Sequence, residues 1–182
     1  MRLTDLLYVL KKRSDQKILV TGPQRSGTTI AAKIIAHELG LDFFPEESIE
    51  TDNLQLLQMQ FLNRDNAVIQ APALCYRCHD MYRFLDAVIF MMRNDEDIRK
   101  SAEKINWIEE FDYTEGLKYG IFGTHSWLVK KDFWPWQKEQ LQNSILKDCD
   151  ILATELQYES MSDHPMWVPK EERENFNNRQ TE

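Results

Sequence analysis

Only three of the 182 residues are cysteine, Cys75, Cys78 and Cys149, an odd number too small for a disulfide framework, so a stapled secreted scaffold is excluded and a reducing compartment fits. Long apolar runs are missing too: none approaches the ~20 residues that a membrane span needs. The stretch Leu6-Leu7-Tyr8-Val9-Leu10 is too short for a signal-peptide core and leads into Lys11-Lys12-Arg13 rather than small residues, so residues 1–16 read as a short amphipathic helix and the protein is expected to stay in the cytoplasm. Basic charge is scarce, with 22 Lys and Arg against 30 Asp and Glu, and the net charge of −8 excludes a surface built for nucleic acid or an anionic membrane. An anionic ligand must therefore be caught by a local site. The chain has no internal repeat and no low-complexity tract.

What is present is ordinary globular composition, 42% apolar and 29% charged, in a length that supports one packed core and hence a single domain over 1–182. Ile18 to Thr21 reads as a short strand ending at Gly22-Pro23, and Thr28 to Leu39 has helical spacing with Ile30, Ile34, Ile35 and Leu39 on one side. Asp42 to Phe44, Ala67 to Ala71, Ala87 to Met92 and Ile151 to Gln157 are further strand candidates. Between them, Leu54 to Leu62, a turn at Met81 to Leu85, Asp95 to Trp107 and Trp136 to Leu146 read as helical. Ile108 to Phe122 loses periodicity and reads as a loop or lid, and 166–182 as an irregular polar tail. Alternating strands and helices predict an α/β fold with a mostly parallel sheet covered on both faces.

Gly22-Pro23-Gln24-Arg25-Ser26-Gly27-Thr28-Thr29 sets two glycines five apart between a strand and a helix, the context in which backbone N–H groups cradle an anion at a helix N-terminus. The ATPase and GTPase form of this loop has lysine after the second glycine; here that position is Thr28. Arg25 supplies positive charge instead, with a planar fork suited to phosphate or sulfonate oxygens, and Thr28 and Thr29 supply hydroxyls. Arg93 lies at the C-terminal end of a buried strand, where open α/β sheets bind ligands, and Ser101 follows on the next helix.

Arg25-Ser26-Gly27-Thr28-Thr29 resembles the 5′-phosphosulfate loop of the P-loop sulfotransferases, which use 3′-phosphoadenosine-5′-phosphosulfate (PAPS) as sulfuryl donor. Arg93 followed eight residues on by Ser101 is similar to that family's 3′-phosphate signature. Pro45-Glu46-Glu47-Ser48 resembles the turn that carries the catalytic glutamate in tyrosylprotein sulfotransferases, and Tyr158-Glu159-Ser160-Met161 through Pro165 is similar to a Tyr-Glu-x-Leu-x-x-x-Pro segment. The resemblance spans about 18–165 and implies a P-loop NTPase-like three-layer sandwich. It also implies donor binding by Gln24, Arg25, Ser26, Gly27, Thr28, Thr29, Arg93 and Ser101, catalysis by Arg25 with Glu46 or Glu47 as base, and no metal. Two departures stand out. Gln70 occupies a strand position where the family often has a basic residue, and no glycine-rich basic loop follows Pro165, though Lys170, Arg173 and Arg179 lie in the tail.

Sulfuryl transfer asks the protein mainly for in-line positioning and charge stabilisation, with a carboxylate to take the proton of an acceptor hydroxyl or amine. The acceptor is unidentified from sequence. A kinase reading puts Arg25 or Lys33 in place of the missing lysine and Mg²⁺ on Asp95; a third reading is a P-loop protein that binds nucleotide without turnover. Cys75-Tyr76-Arg77-Cys78-His79 spells the attachment string of c-type haem, but inside an α/β repeat it reads as buried thiols and a histidine at a helix start. His125 reads as a loop residue, and Trp127, Phe133, Trp134 and Trp136 as core or lid packing.

Overall fold

A computed structural model describes residues 1–49, 53–76, 78–104, 127–142 and 151–167. Helix α1 (Leu3–Arg13) leads into β1 (Lys17–Thr21), α2 (Thr28–Leu39), β2 (Asp42–Phe44), α3 (Leu54–Leu62), β3 (Ala67–Gln70), β4 (Ala87–Met92), α4 (Asp95–Glu103), α5 (Trp127–Gln142) and β5 (Leu152–Gln157). Four 3₁₀ turns, Glu46–Ser48, Pro72–Tyr76, Cys78–Phe84 and Tyr158–Met161, follow strands or fill connections. The five strands form one sheet in the order β2-β3-β1-β4-β5, and every pairing is parallel.

The sheet is apolar because both faces are covered, which turns the central strands into uninterrupted hydrophobic runs. Successive side chains point to opposite faces. Ile18, Val20, Val68, Ile89 and Met91 pack with Leu6 and Leu10 of α1 and with Ala31, Ile34 and Ile35 of α2. Leu19, Ile69, Val88 and Phe90 pack on the other face with Leu57 and Phe61 of α3, the two middle 3₁₀ turns and Trp134 and Leu141 of α5. The result is a three-layer α/β arrangement, all parallel where the sequence reading had allowed a mixed sheet.

Several boundaries differ from the sequence reading. Helix α5 begins at Trp127, upstream of the expected start at Trp136, and contains Pro135, a residue that removes one helix hydrogen bond. Trp134 is buried and stacks on Phe90 at 4.6 Å, which anchors the helix across the proline. Trp136, read as packing, is 42% exposed. Met166 and Trp167, assigned to the tail, pack on the α1–α2 side of the core, with Trp167 edge-on to Tyr158 at 4.8 Å. The lid reading for 108–122, His125, Cys149 and the tail cations Lys170, Arg173 and Arg179 lie outside the described residues. No helix among the described residues is long and apolar enough to cross a membrane.

Strand order fixes where a site can form. The chain leaves β1 through α2 towards the β3–β2 side, and leaves β4 through α4 towards β5. The two exits diverge, and the crevice at the carboxyl ends of β1 and β4 is the switch point at which open α/β sheets take ligands.

Candidate functional site

The first wall of that crevice is the loop from Gly22 to Gly27. Thr21 at the end of β1 is buried and its hydroxyl donates to the Ala71 carbonyl at 2.8 Å. Gly22 follows at φ 133°, with room for nothing larger, because a Cβ would meet the Met91 backbone nitrogen at 3.0 Å. Ser26 then closes a turn on the Pro23 carbonyl, through its N–H at 3.2 Å and its hydroxyl at 2.5 Å. At the third position of that turn Arg25 takes φ 65°, a left-handed conformation that costs a non-glycine residue about 1–3 kcal/mol and persists only where surroundings impose it.

Those surroundings are the other residues that the sequence reading singled out. Arg93, at the end of β4, donates from Nη1 to the Arg25 carbonyl at 2.8 Å, and Arg25 donates from Nε to the Ser101 hydroxyl of α4 at 3.0 Å. Three residues 68 and 76 positions apart in the chain thus meet in one place. The Arg93 guanidinium also lies 4.2 Å above the Tyr158 ring, a cation–π geometry. Tyr158 in turn presses on the loop, since a Cβ on Gly27, at φ 93°, would come within 2.5 Å of the ring carbon Cε2.

Gly27 precedes α2 as its N-cap and offers no side-chain cap, and the first turn contains no acidic residue. The N–H groups of that turn have no intrahelical acceptors and concentrate the positive end of the helix dipole. Thr28 is buried and Thr29 exposed. Gln24 places a buried Oε1 that meets no donor among the described residues. Lys33 lies further along α2, exposed, with its ammonium 5.6 Å over the Phe43 ring.

The two glutamates are separated by their surroundings. Glu46 is half-buried and its Oε1 accepts the Ala73 N–H at 2.6 Å, so the carboxylate is held against the 3₁₀ turn after β3. Glu47 is exposed, and its side chain makes no hydrogen bond or ion pair among the described residues. Gln70, at the end of β3 and only 6% exposed, links the Glu46 turn to the loop: its Oε1 accepts the Glu46 N–H at 3.4 Å and its Nε2 donates to Thr28 Oγ1 at 3.3 Å. In sequence, Gln70 stands out only as a departure from the family pattern and Tyr158 only as part of a segment. The readable signal for both was position, each standing where a strand of the sheet gives out.

Within the Cys-x-x-Cys-His string, Cys75 and Cys78 are buried, and burial pushes the Cys78 thiol well above its ordinary value. Among the described residues no group of three His, Cys, Asp or Glu is placed to hold a metal ion. Compared with protein-family models, with curated proteins and with solved structures, the chain has no match.

Proposed function

We propose that the chain is a cytoplasmic P-loop enzyme of sulfotransferase type, taking PAPS as donor and a hydroxyl or amine compound as acceptor. One observation carries the reading: Arg25, Arg93 and Ser101, picked out by residue type and spacing, meet at the divergent exits of β1 and β4. The residues present suit a doubly anionic nucleotide. An uncapped helix start without a first-turn acid, beside Arg25, suits one phosphate, while Arg93 and Ser101 supply a charged fork and a hydroxyl for the second.

The phosphosulfate supplies an SO₃ group whose bond to the 5′-phosphate breaks as the acceptor heteroatom bonds to sulfur. Arg25 and the α2 N–H groups stabilise charge left on the phosphate, by the logic of other group transfers that depend on positioning. Glu46 is the base of choice, because Gln70 connects its turn directly to Thr28, whereas Glu47 faces solvent. Lys33 lies over Phe43 rather than in the loop, which argues against the kinase reading that recruits it.

Calorimetry with 3′-phosphoadenosine-5′-phosphate (PAP), ADP and ATP with Mg²⁺ tests this. A charge-assisted contact to the 3′-phosphate is worth about 1.5–3 kcal/mol, so PAP is expected to bind roughly tenfold to a hundredfold more tightly than ADP. Equal binding of PAP and ADP sinks the clamp, and Mg²⁺-dependent preference for ATP establishes the kinase. PAP binding with no transfer to any acceptor leaves a binding protein.

A further inference from the structure

We infer that Gln70 is a positioning residue that sets the direction of the Thr28 hydroxyl, so that its proton is aimed at an anion held in the loop. The inference rests on the loop being an anion site, as proposed above.

The Glu46 N–H can only donate. Its partner on Gln70, 3.4 Å away, must therefore be the amide oxygen, and this fixes which end of the amide faces which neighbour. Nε2 then faces Thr28 Oγ1 at 3.3 Å and can only donate to it. The hydroxyl is an acceptor on that side, and its own proton is left for another group. Among the described residues this is the one side-chain hydrogen bond that Thr28 makes, although the residue is only 4% exposed. A buried hydroxyl with its donor unspent is costly unless a ligand takes it up. Thr28 opens α2 directly after Gly27, where the unpaired N–H groups of the helix already favour negative charge. Both Gln70 contacts are long, so the amide acts by orienting the hydroxyl rather than by the strength of its bonds. A basic side chain at this position could not do the same, because it has no acceptor for the Glu46 N–H.

The test is a double-mutant cycle read by calorimetry on the full chain, with PAP and inorganic pyrophosphate as probes. Gln70→Met keeps the length of the side chain and removes the amide. It is expected to weaken both probes about three- to tenfold, as befits a lost orientation rather than a lost charge. In a Thr28→Val background the same change is expected to alter affinity less than twofold, a readout that a purely structural role would not produce. Full affinity in Gln70→Met, or the same loss with and without the Thr28 hydroxyl, overturns the proposal. Pyrophosphate bound without PAP rejects the PAPS reading, while the pyrophosphate cycle still decides Gln70; neither probe bound rejects both. Should the variants not fold, the unmodified chain serves: pyrophosphate is expected to shift the Gln70 side-chain amide signals in a nitrogen–proton NMR spectrum, and unmoved signals reject the inference.

Discussion

Adjacent glutamates at 46 and 47 show how far one position can change a side chain's prospects. Glu46 has one carboxylate oxygen on the Ala73 N–H at 2.6 Å, which holds the carboxylate against the turn after β3. Glu47 has neither constraint nor shelter. Because a positioned base contributes roughly a hundredfold to ten-thousandfold in rate, Glu46→Gln is expected to lose most transfer once an acceptor is in hand, with PAP affinity nearly unchanged. The amide oxygen can still accept the Ala73 N–H, so a thermal melt should be close to wild type. Glu47→Gln is expected to keep full activity, and the reverse pattern of rates moves the base to Glu47. Residue types made the pair legible in sequence, but the choice between them was not, since it depends on a backbone donor 27 positions away. Gln70 was hidden for the same reason: a glutamine carries no signature until its two neighbours are known.

Helix α5 is attached to the sheet by a few contacts that can be taken apart. Trp134 stacks on Phe90 and donates its Nε1–H to Glu155 Oε1 of β5 at 2.9 Å, and Lys138 Nζ lies 3.1 Å from the same oxygen. Burial raises the Glu155 carboxyl, but the hydrogen bonds from Trp134 and Lys138 outweigh it and hold the group below its usual 4.5. A carboxyl depressed in the folded state contributes stability that is present above its unfolded value and is lost as pH falls through the folded one. Urea unfolding should therefore find Glu155→Gln less stable than wild type near neutral pH, with the gap closing as pH drops below about 4.5. A gap that does not depend on pH means the contact is one of shape only. The same helix shows why some boundaries escaped the sequence. Proline inside a helix costs ~3 kcal/mol, so local preference alone disfavours a helix that runs through Pro135. Burying Trp134 and Leu141 recovers about 1.5–3 kcal/mol each, a tertiary effect that no local pattern reports.

Over the whole molecule, the central strands β1, β3 and β4 were legible because parallel strands buried on both faces stand out as short apolar runs, while the partly exposed edge strands β2 and β5 were placed by their position between helices, and that alternation announced the α/β class. Strand order was not, since periodicity says what a segment is and never what it pairs with. The net charge of −8 makes a further prediction about ligand capture. The net field repels an anionic nucleotide, while Arg25 and Arg93 attract it at short range beside the loop. At 0.15 M salt the Debye length is about 8 Å, so added salt screens the distant repulsion first. Stopped-flow association of PAP should be flat or faster between low and physiological salt, in contrast to the steep slowing of a steered encounter; strong slowing indicates a basic funnel elsewhere on the surface. Finally, the order β2-β3-β1-β4-β5 puts β1 in the middle with its partners arriving late. A nascent chain that has made Thr21 must still add residues through Met92 before both edges of β1 are paired, about 4–14 s at ordinary elongation rates of 5–20 residues per second. Throughout that interval Ile-Leu-Val-Thr is an open, sticky edge, and the Arg25 turn has no Arg93 to hold it. The segment that makes the site is thus also the segment most exposed to misassembly during synthesis, and any stall between β3 and β4 leaves it open for longer.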